Sequence, residues 1–249
     1  MGAVVDVIFP PACGACRSLL PNSALLCTDC ERAADLLAPP LCPCCGLPLA
    51  TATAPAAGGD ALAPAPCPDC AGAGQTRAFD AARALYVYGG PIETAIARLK
   101  FGRVPQIAIA AGDLLARALE MGTLAPLGAA CDAVVPIPVG RARLADRGFD
   151  QAVLMARQIG RRLDRPLLPR LLQRVHETRP QAMLDRDQRS DNVRGAFAAT
   201  GSLARGKRLL VVDDILTTGS TADAAAAALK RAGASRIEVV TLARAVLTC

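Results

Sequence analysis

Tryptophan is absent from these 249 residues, histidine occurs once, and two tyrosines with five phenylalanines supply every aromatic ring. So few rings cannot furnish a platform on which several bases stack, and any contact with nucleic acid is expected to be mainly electrostatic. The single histidine, His176, lies in an arginine-rich stretch far from the clustered cysteines, so no histidine is expected among ligands there. No apolar stretch approaches the ~20 uncharged residues that span a bilayer, and Met1 to Pro11 carries Asp6 and no basic leader region. Membrane insertion is not expected. The expected location is the cytoplasm, where thiols stay reduced and paired cysteines bind metal more often than each other.

Cysteine, by contrast, is abundant and unevenly placed. All but two of the 11 fall between Cys13 and Cys70, leaving Cys131 and Cys249 for the rest of the chain. Four pairs have two residues between them: Cys13 and Cys16, Cys27 and Cys30, Cys42 and Cys45, Cys67 and Cys70. A C-x2-C turn aims two thiolates at one ion about 2.3 Å away, and two such turns complete the tetrahedral shell that Zn²⁺ prefers. Eight ligands make two Cys₄ sites. The spacing favours sequential pairing, first turn with second and third with fourth, and leaves an interleaved arrangement open. Cys44 is the odd cysteine inside the third pair.

A disulfide framework is the competing reading, and the missing leader argues against it. A catalytic zinc would keep a water position and a nearby His or Glu base, and neither is apparent. A segment of this size with few large apolar residues buries too little surface to fold unaided, so metal is expected to supply its folding free energy. The run ATATAPAAGGDALAPAP, Ala50 to Pro66, separates the third and fourth pairs and reads as a long mobile loop.

The formal net charge of +6 is local, because Arg141 to Arg194 holds 13 arginines against 7 acids, an excess equal to that of the whole chain. Such a stretch is either a solvated arginine-rich surface or a surface for phosphate or nucleic acid.

After Gln75 the pattern alternates between strand and helix. Apolar runs at Arg83 to Tyr88, Asp132 to Pro136, Arg208 to Val212 and Arg236 to Leu242 read as buried strands. Asp150 is placed to cap a helix with apolar face Ala152, Met155, Ile159 and Leu163, stopped by Pro166. A second, alanine-rich helix is expected from about Thr221 to Arg231, ending at Gly233. This order predicts an α/β fold: a doubly wound, mostly parallel sheet with ligand-binding loops at the carboxyl ends of its strands.

One of those ends reads LLVVDDILTTGST, Leu209 to Thr221. Four apolar residues form a central strand, two carboxylates follow, and a loop with Thr217, Thr218, Gly219, Ser220 and Thr221 leads into a helix. Adjacent Asp213 and Asp214 can accept hydrogen bonds from the vicinal hydroxyls of a ribose. The loop's hydroxyls and backbone N–H groups at a helix N-terminus suit a phosphate, and Gly219 lets the backbone come close. The combination describes a ribose 5-phosphate site. A Walker B strand also ends in acids, but the chain has no G-x-x-x-x-G-K-[ST]; a dinucleotide fold would need G-x-G-x-x-G after the first strand, and none occurs there. A strand end with mere capping residues would not need two acids followed by Thr-Thr-Gly-Ser-Thr.

The segment resembles the 5-phosphoribosyl pyrophosphate (PRPP) motif of type I phosphoribosyltransferases, and the chain is similar to the ComF family, which joins an N-terminal double zinc ribbon to such a domain. LKFGR at Leu99 to Arg103, VVPIPV at Val134 to Val139, RLADRGFDQA at Arg143 to Ala152 and RVHETRPQAMLDRDQRSDNVRGAF at Arg174 to Phe197 carry the likeness further; Asp150 stands where asparagine is common, and the Ala50 to Pro66 insertion is longer than usual. The resemblance implies a zinc ribbon module over 1–76, with the mobile loop at 50–66, and a phosphoribosyltransferase domain over 77–249. It implies two structural zinc ions, Mg²⁺ bridging the pyrophosphate and ribose hydroxyls of PRPP, and Asp213 and Asp214 as the catalytic carboxylates that orient the ribose and stabilise charge on its ring. The loop from Val135 to Gly140, including Pro136 and Ile137, would offer N–H groups to pyrophosphate. Lys100, Arg141, Arg143 and Arg147 are its candidate cationic partners, and Arg174 to Arg194, with Arg174 and Arg189, corresponds to a hood closing over substrate. The family's association with natural competence implies two further partners, single-stranded DNA and a helicase-like protein.

Overall fold

The structure, a computed structural model, describes residues 11–49, 65–72, 77–175 and 195–246. Arg179, Arg189, Cys249, nearly all of the expected loop at 50–66 and most of the expected hood lie outside the described residues, and the expected boundary after residue 76 adjoins the undescribed 73–76. The strands are β1 (Ala81–Val87), β2 (Ala133–Pro136), β3 (Leu172–Arg174), β4 (Phe197–Ala199), β5 (Arg208–Leu216) and β6 (Arg236–Arg244). The helices are α1 (Thr28–Arg32), α2 (Pro68–Ala71), α3 (Gly90–Phe101), α4 (Pro105–Met121), α5 (Ala125–Ala130), α6 (Arg141–Arg147), α7 (Gln151–Arg162) and α8 (Ser220–Arg231). Among the described residues no helix is long and apolar enough to cross a membrane.

Four strands form one parallel sheet in the order β1-β6-β5-β2, while β3 and β4 make a separate antiparallel pair. All four expected strands are present, and their near-continuous apolar runs follow from burial on both faces. In β5, Leu210 and Val212 face the layer of α4 and α7, whereas Leu209 and Val211 face that of α8, the period-two alternation of a strand between two helical layers. Asp150 caps α7 as expected, accepting the N–H groups of Ala152 at 2.9 Å and Val153 at 3.2 Å. Met155 and Ile159 of α7 are fully buried against α4. That contact needs Gly112, since a Cβ there would sit 2.7 Å from the Met155 Cα.

The cysteine-bearing segment straddles the β1 edge of the sheet. Leu36 bridges Tyr86 antiparallel to β1, with Leu37 N donating to Leu85 O at 2.9 Å and Val87 N to Asp35 O at 2.8 Å. An exposed strand edge invites pairing with another chain, and this segment occupies it. On one face Cys13, Leu25 and Leu26 join Ile96 and Leu99 in the core; on the other Cys42, Cys45 and Cys67 pack with Phe79, Ala82 and Val211.

Candidate phosphoribosyl site and metal centres

Strand β5 does not stop where its apolar run stops. It stays paired with β6 as far as Leu216 opposite Arg244, so Asp213 and Asp214 stand on the strand and not in the loop after it. Both line a cleft of about 550 Å³ at the carboxyl end of the sheet. Asp214 is buried, and its Oδ2 lies 2.9 Å from Lys100 Nζ at the end of α3. Lys100, expected as a partner of pyrophosphate, is thus held by a carboxylate. Asp213 accepts the Asp214 N–H at 2.8 Å. Burial and the neighbouring Asp214 charge push its carboxyl up to about 8, against the pull of Lys100.

The loop beyond turns at Gly219, whose φ of +83° lies in the left-handed region that glycine adopts without strain, and Gly219 caps α8. Thr217, Gly219 and Thr221 line the cleft. Thr218 and Ser220 bond to one another through their hydroxyls at 2.9 Å and shape the turn.

Across the cleft, the loop after β2 behaves differently from expectation. Pro136 is buried, and neither it nor Pro138 has an N–H; Ile137 N donates to Val212 O at 2.9 Å and Val139 N to Asp150 Oδ2 at 3.1 Å. From 136 to 139 the backbone donors are therefore committed within the protein, and cationic side chains must meet an anion here. Ile137 lines the cleft, as do Arg143, Arg147 and Arg174. Arg147 is buried and donates to Gln151 Oε1 at 2.6 Å; burial draws its guanidinium below the ordinary range, though it stays a cation. Arg174 donates to Pro138 O at 3.4 Å and lies over the Phe197 ring at 4.8 Å. Arg141 starts α6 on the exposed side and is not among the residues lining the cleft. Gln151, Tyr88 and the exposed Phe101 line it without having been marked in the sequence. Asp150, whose polar role the sequence left open, ties this loop to the start of α7; burial raises its carboxyl above the usual range despite three N–H donors.

The eight paired cysteines form two clusters, Cys13, Cys16, Cys27 and Cys30, and Cys42, Cys45, Cys67 and Cys70, with the sulfurs of each within 4.8 Å of one another. Pairing is sequential, and Cys44 stands outside both. The two repeat one design. Cys27 N donates to Cys13 Sγ and Cys67 N to Cys42 Sγ, both at 3.3 Å, and Leu20 N and Leu49 N close equivalent turns onto Pro11 O and Pro40 O. Four sulfurs about 2.3 Å from a central ion stand about 3.8 Å apart. Cys16 and Cys27 are 3.7 Å apart and Cys45 and Cys67 3.6 Å. Burial and adjacent thiols push Cys30 up to about 12 and Cys67 up to about 11, so four thiolates do not coexist here without a cation. The donor set fits a structural zinc in each cluster.

The family model for a phosphoribosyl transferase domain matches residues 105–246, and that for a double zinc ribbon domain matches residues 4–71. The chain is 30% identical to the DNA utilization protein YhgH of Salmonella typhi over 94% of this chain and 97% of that one. It is 36% identical to Competence protein F of Haemophilus influenzae over 46% of this chain and 51% of that protein. A glutamine PRPP amidotransferase of B. subtilis, solved with ADP and GMP, overlaps 53% of this chain and 25% of its own at 21% identity with a TM-score of 0.36. Two four-cysteine clusters set against a parallel sheet whose central strand carries Asp213 and Asp214 agree with both family models, and the chain belongs to the ComF/YhgH family, a phosphoribosyltransferase domain behind an N-terminal double zinc ribbon.

Proposed function

We propose that the cleft binds PRPP with Mg²⁺ and transfers its phosphoribosyl group to a nitrogen nucleophile, in a role tied to DNA utilization. The observation that carries this reading is the convergence in one cleft of Asp213, Asp214, the Thr217–Thr221 turn and three arginines. The turn and the N-terminus of α8 receive the 5-phosphate. The two aspartates accept the ribose hydroxyls, and Arg143, Arg147 and Arg174 face the pyrophosphate. As the bond from C1 to pyrophosphate breaks and the bond to the acceptor nitrogen forms, positive charge develops on the ring, which ionised carboxylates below it stabilise. Asp213 is the carboxylate left to hold Mg²⁺, because Asp214 is taken by Lys100; the ion would supply positive charge against the leaving pyrophosphate.

The raised Asp213 carboxyl gives this reading a pH signature. Its folded-state value, about 8, exceeds the ordinary 3.8. The stability it confers is therefore complete at acid pH and lost as pH rises through about 8. A ligand that requires the ionised form runs the other way: Mg²⁺ and PRPP should bind more tightly as pH rises from 7 to 9 and should release a proton near neutrality. Calorimetry in buffers of different ionisation enthalpy reads that proton, and Asp213→Asn should abolish the release. Pyrophosphate release from PRPP over a panel of bases then separates turnover from a PRPP sensor; no release with any base, alongside intact binding, would leave the sensor.

A second reading, a single-stranded DNA adaptor, is favoured by the relatives' names and by the arginines at the cleft. Binding should then weaken with a log–log salt slope of about −0.7 per phosphate neutralised. Arg143→Glu with Arg174→Glu should weaken DNA and PRPP together, and PRPP should compete with a labelled oligonucleotide. Absence of binding at low salt removes this reading, and with it a helicase-like partner recruited through DNA.

A further inference from the structure

Arg244 ends β6, is 5% exposed and takes no part in the cleft. Its Nη1 donates to Leu216 O at 3.1 Å and also to Thr217 O, while its Nη2 reaches Cys45 Sγ at 3.8 Å. Arg77 completes the pattern from the other side, with Nη2 donating to Thr218 O at 3.0 Å and its guanidinium facing Gly219. Three successive carbonyls of the turn are thus held by two guanidiniums. In a trans peptide the N–H points opposite the C=O. Fixing the carbonyls of 216, 217 and 218 inward therefore turns the N–H groups of 217, 218 and 219 outward, toward the cleft that Thr217 and Gly219 line. This is the arrangement an anion needs, and it is set before any anion arrives.

We propose that Arg244 is a positioning residue that ties the Leu216–Thr221 turn to the Cys42, Cys45, Cys67 and Cys70 cluster, so that metal in this cluster holds the turn in its anion-binding form. A buried guanidinium needs an anionic neighbour as well as carbonyl acceptors. A metal-held Cys45 thiolate is that neighbour, and it fixes the far end of the fork whose near end grips the turn. Among the described residues the first cluster has no equivalent tie to the turn: Arg98 of α3 instead donates through Nη1 to Cys13 O and Gly14 O, both at 2.8 Å. The phosphate half of the proposal rests on reading the cleft as a phosphoribosyl site; the mechanical half does not.

The test uses the full chain with Co²⁺ in place of the native metal, which makes thiolate coordination visible through sulfur-to-cobalt charge-transfer absorption. Three proteins are compared: the natural chain, Arg244→Leu and Arg244→Lys. In the absence of ligand, Arg244→Leu is expected to move the charge-transfer band and to speed by tenfold or more the hydrogen exchange of the amides bonded to the turn, Asp223 N to Gly219 O and Ala245 N to Leu216 O. Arg244→Lys keeps the cation and loses the fork, so it should restore the band more than the exchange protection. Saturating ribose 5-phosphate should shift the band in the natural chain and not in Arg244→Leu. Unchanged band and unchanged turn exchange in Arg244→Leu would overturn the linkage. Should that variant not fold, Arg244→Lys decides on the same two readouts. If both readouts respond while the natural chain takes up no ribose 5-phosphate, the linkage stands and the phosphoribosyl reading falls.

Discussion

Asp213→Asn with Asp214→Asn is expected to reduce PRPP affinity by 100-fold or more. A hydrogen bond to a charged group contributes about 1.5–3 kcal/mol, and two are weakened together; a loss of about 3 kcal/mol exceeds 100-fold in affinity. The two single variants should differ. Asp213 is half-buried and faces the cleft, so Asp213→Asn removes a carboxyl that is costly to ionise there and should not lower the melting temperature, its advantage over the natural chain growing as pH rises toward about 8. Asp214 is buried against Lys100, and Asp214→Asn leaves that ammonium without its counter-charge. Breaking a fully buried pair costs about 3–5 kcal/mol. The Lys100 side chain keeps 26% of its exposure and borders an open cleft, so solvent screening brings the expected cost down to about 1–2 kcal/mol. In a chain of this length that is a fall of roughly 2–8 °C in melting temperature. Adding Lys100→Gln should recover the stability and not the affinity. Calorimetry showing undiminished PRPP binding in the double variant would remove the site assignment.

That difference between two adjacent aspartates marks what the sequence could and could not convey. The run Leu209 to Val212 announces a buried strand because apolar residues facing both ways have no other economical place. The end of the strand is set by pairing with β6 through Leu216, a tertiary interaction with no local signature, so the sequence places the carboxylates where the strand stops and not within it. Asp150 is legible as a cap because capping is local, whereas its bond to Val139 depends on where two segments meet. The commitment of the Ile137 and Val139 donors, the Lys100–Asp214 pair and the Arg244 fork are likewise contacts between distant segments. Four C-x2-C turns show eight ligands without ambiguity, since ligand spacing is covalent. That the two clusters repeat one design is obscured by the Ala50 to Pro66 insertion, which separates the third and fourth turns.

Metal removal is the second large effect. Freshly prepared, non-chelated protein should carry two zinc ions per chain, and each should matter to folding on the scale of the whole molecule. Structural zinc in small modules binds with about 10–16 kcal/mol, against a total stability of about 5–15 kcal/mol for an ordinary domain. Cys27→Ser should lose one ion and loosen the segment around Leu25 and Leu26, which packs on Ile96 and Leu99. Cys67→Ser should cost more, because Cys42, Cys45 and Cys67 are buried among Phe79, Ala82 and Val211 beneath the central strands. Exhaustive chelation should go further than either. Without the segment at 35–37 the β1 edge loses the bonds of Leu85 O and Val87 N on either side of Tyr86, and an unpaired edge of apolar residues pairs with other chains. Chelated protein should therefore scatter light in proportion to its loss of zinc, and reducing agent alone should not induce this, as it would in a disulfide framework. Metal analysis returning no zinc, or chelation that strips zinc and leaves melting temperature and scattering unchanged, would show that the cysteine clusters do not hold the sheet's edge through metal.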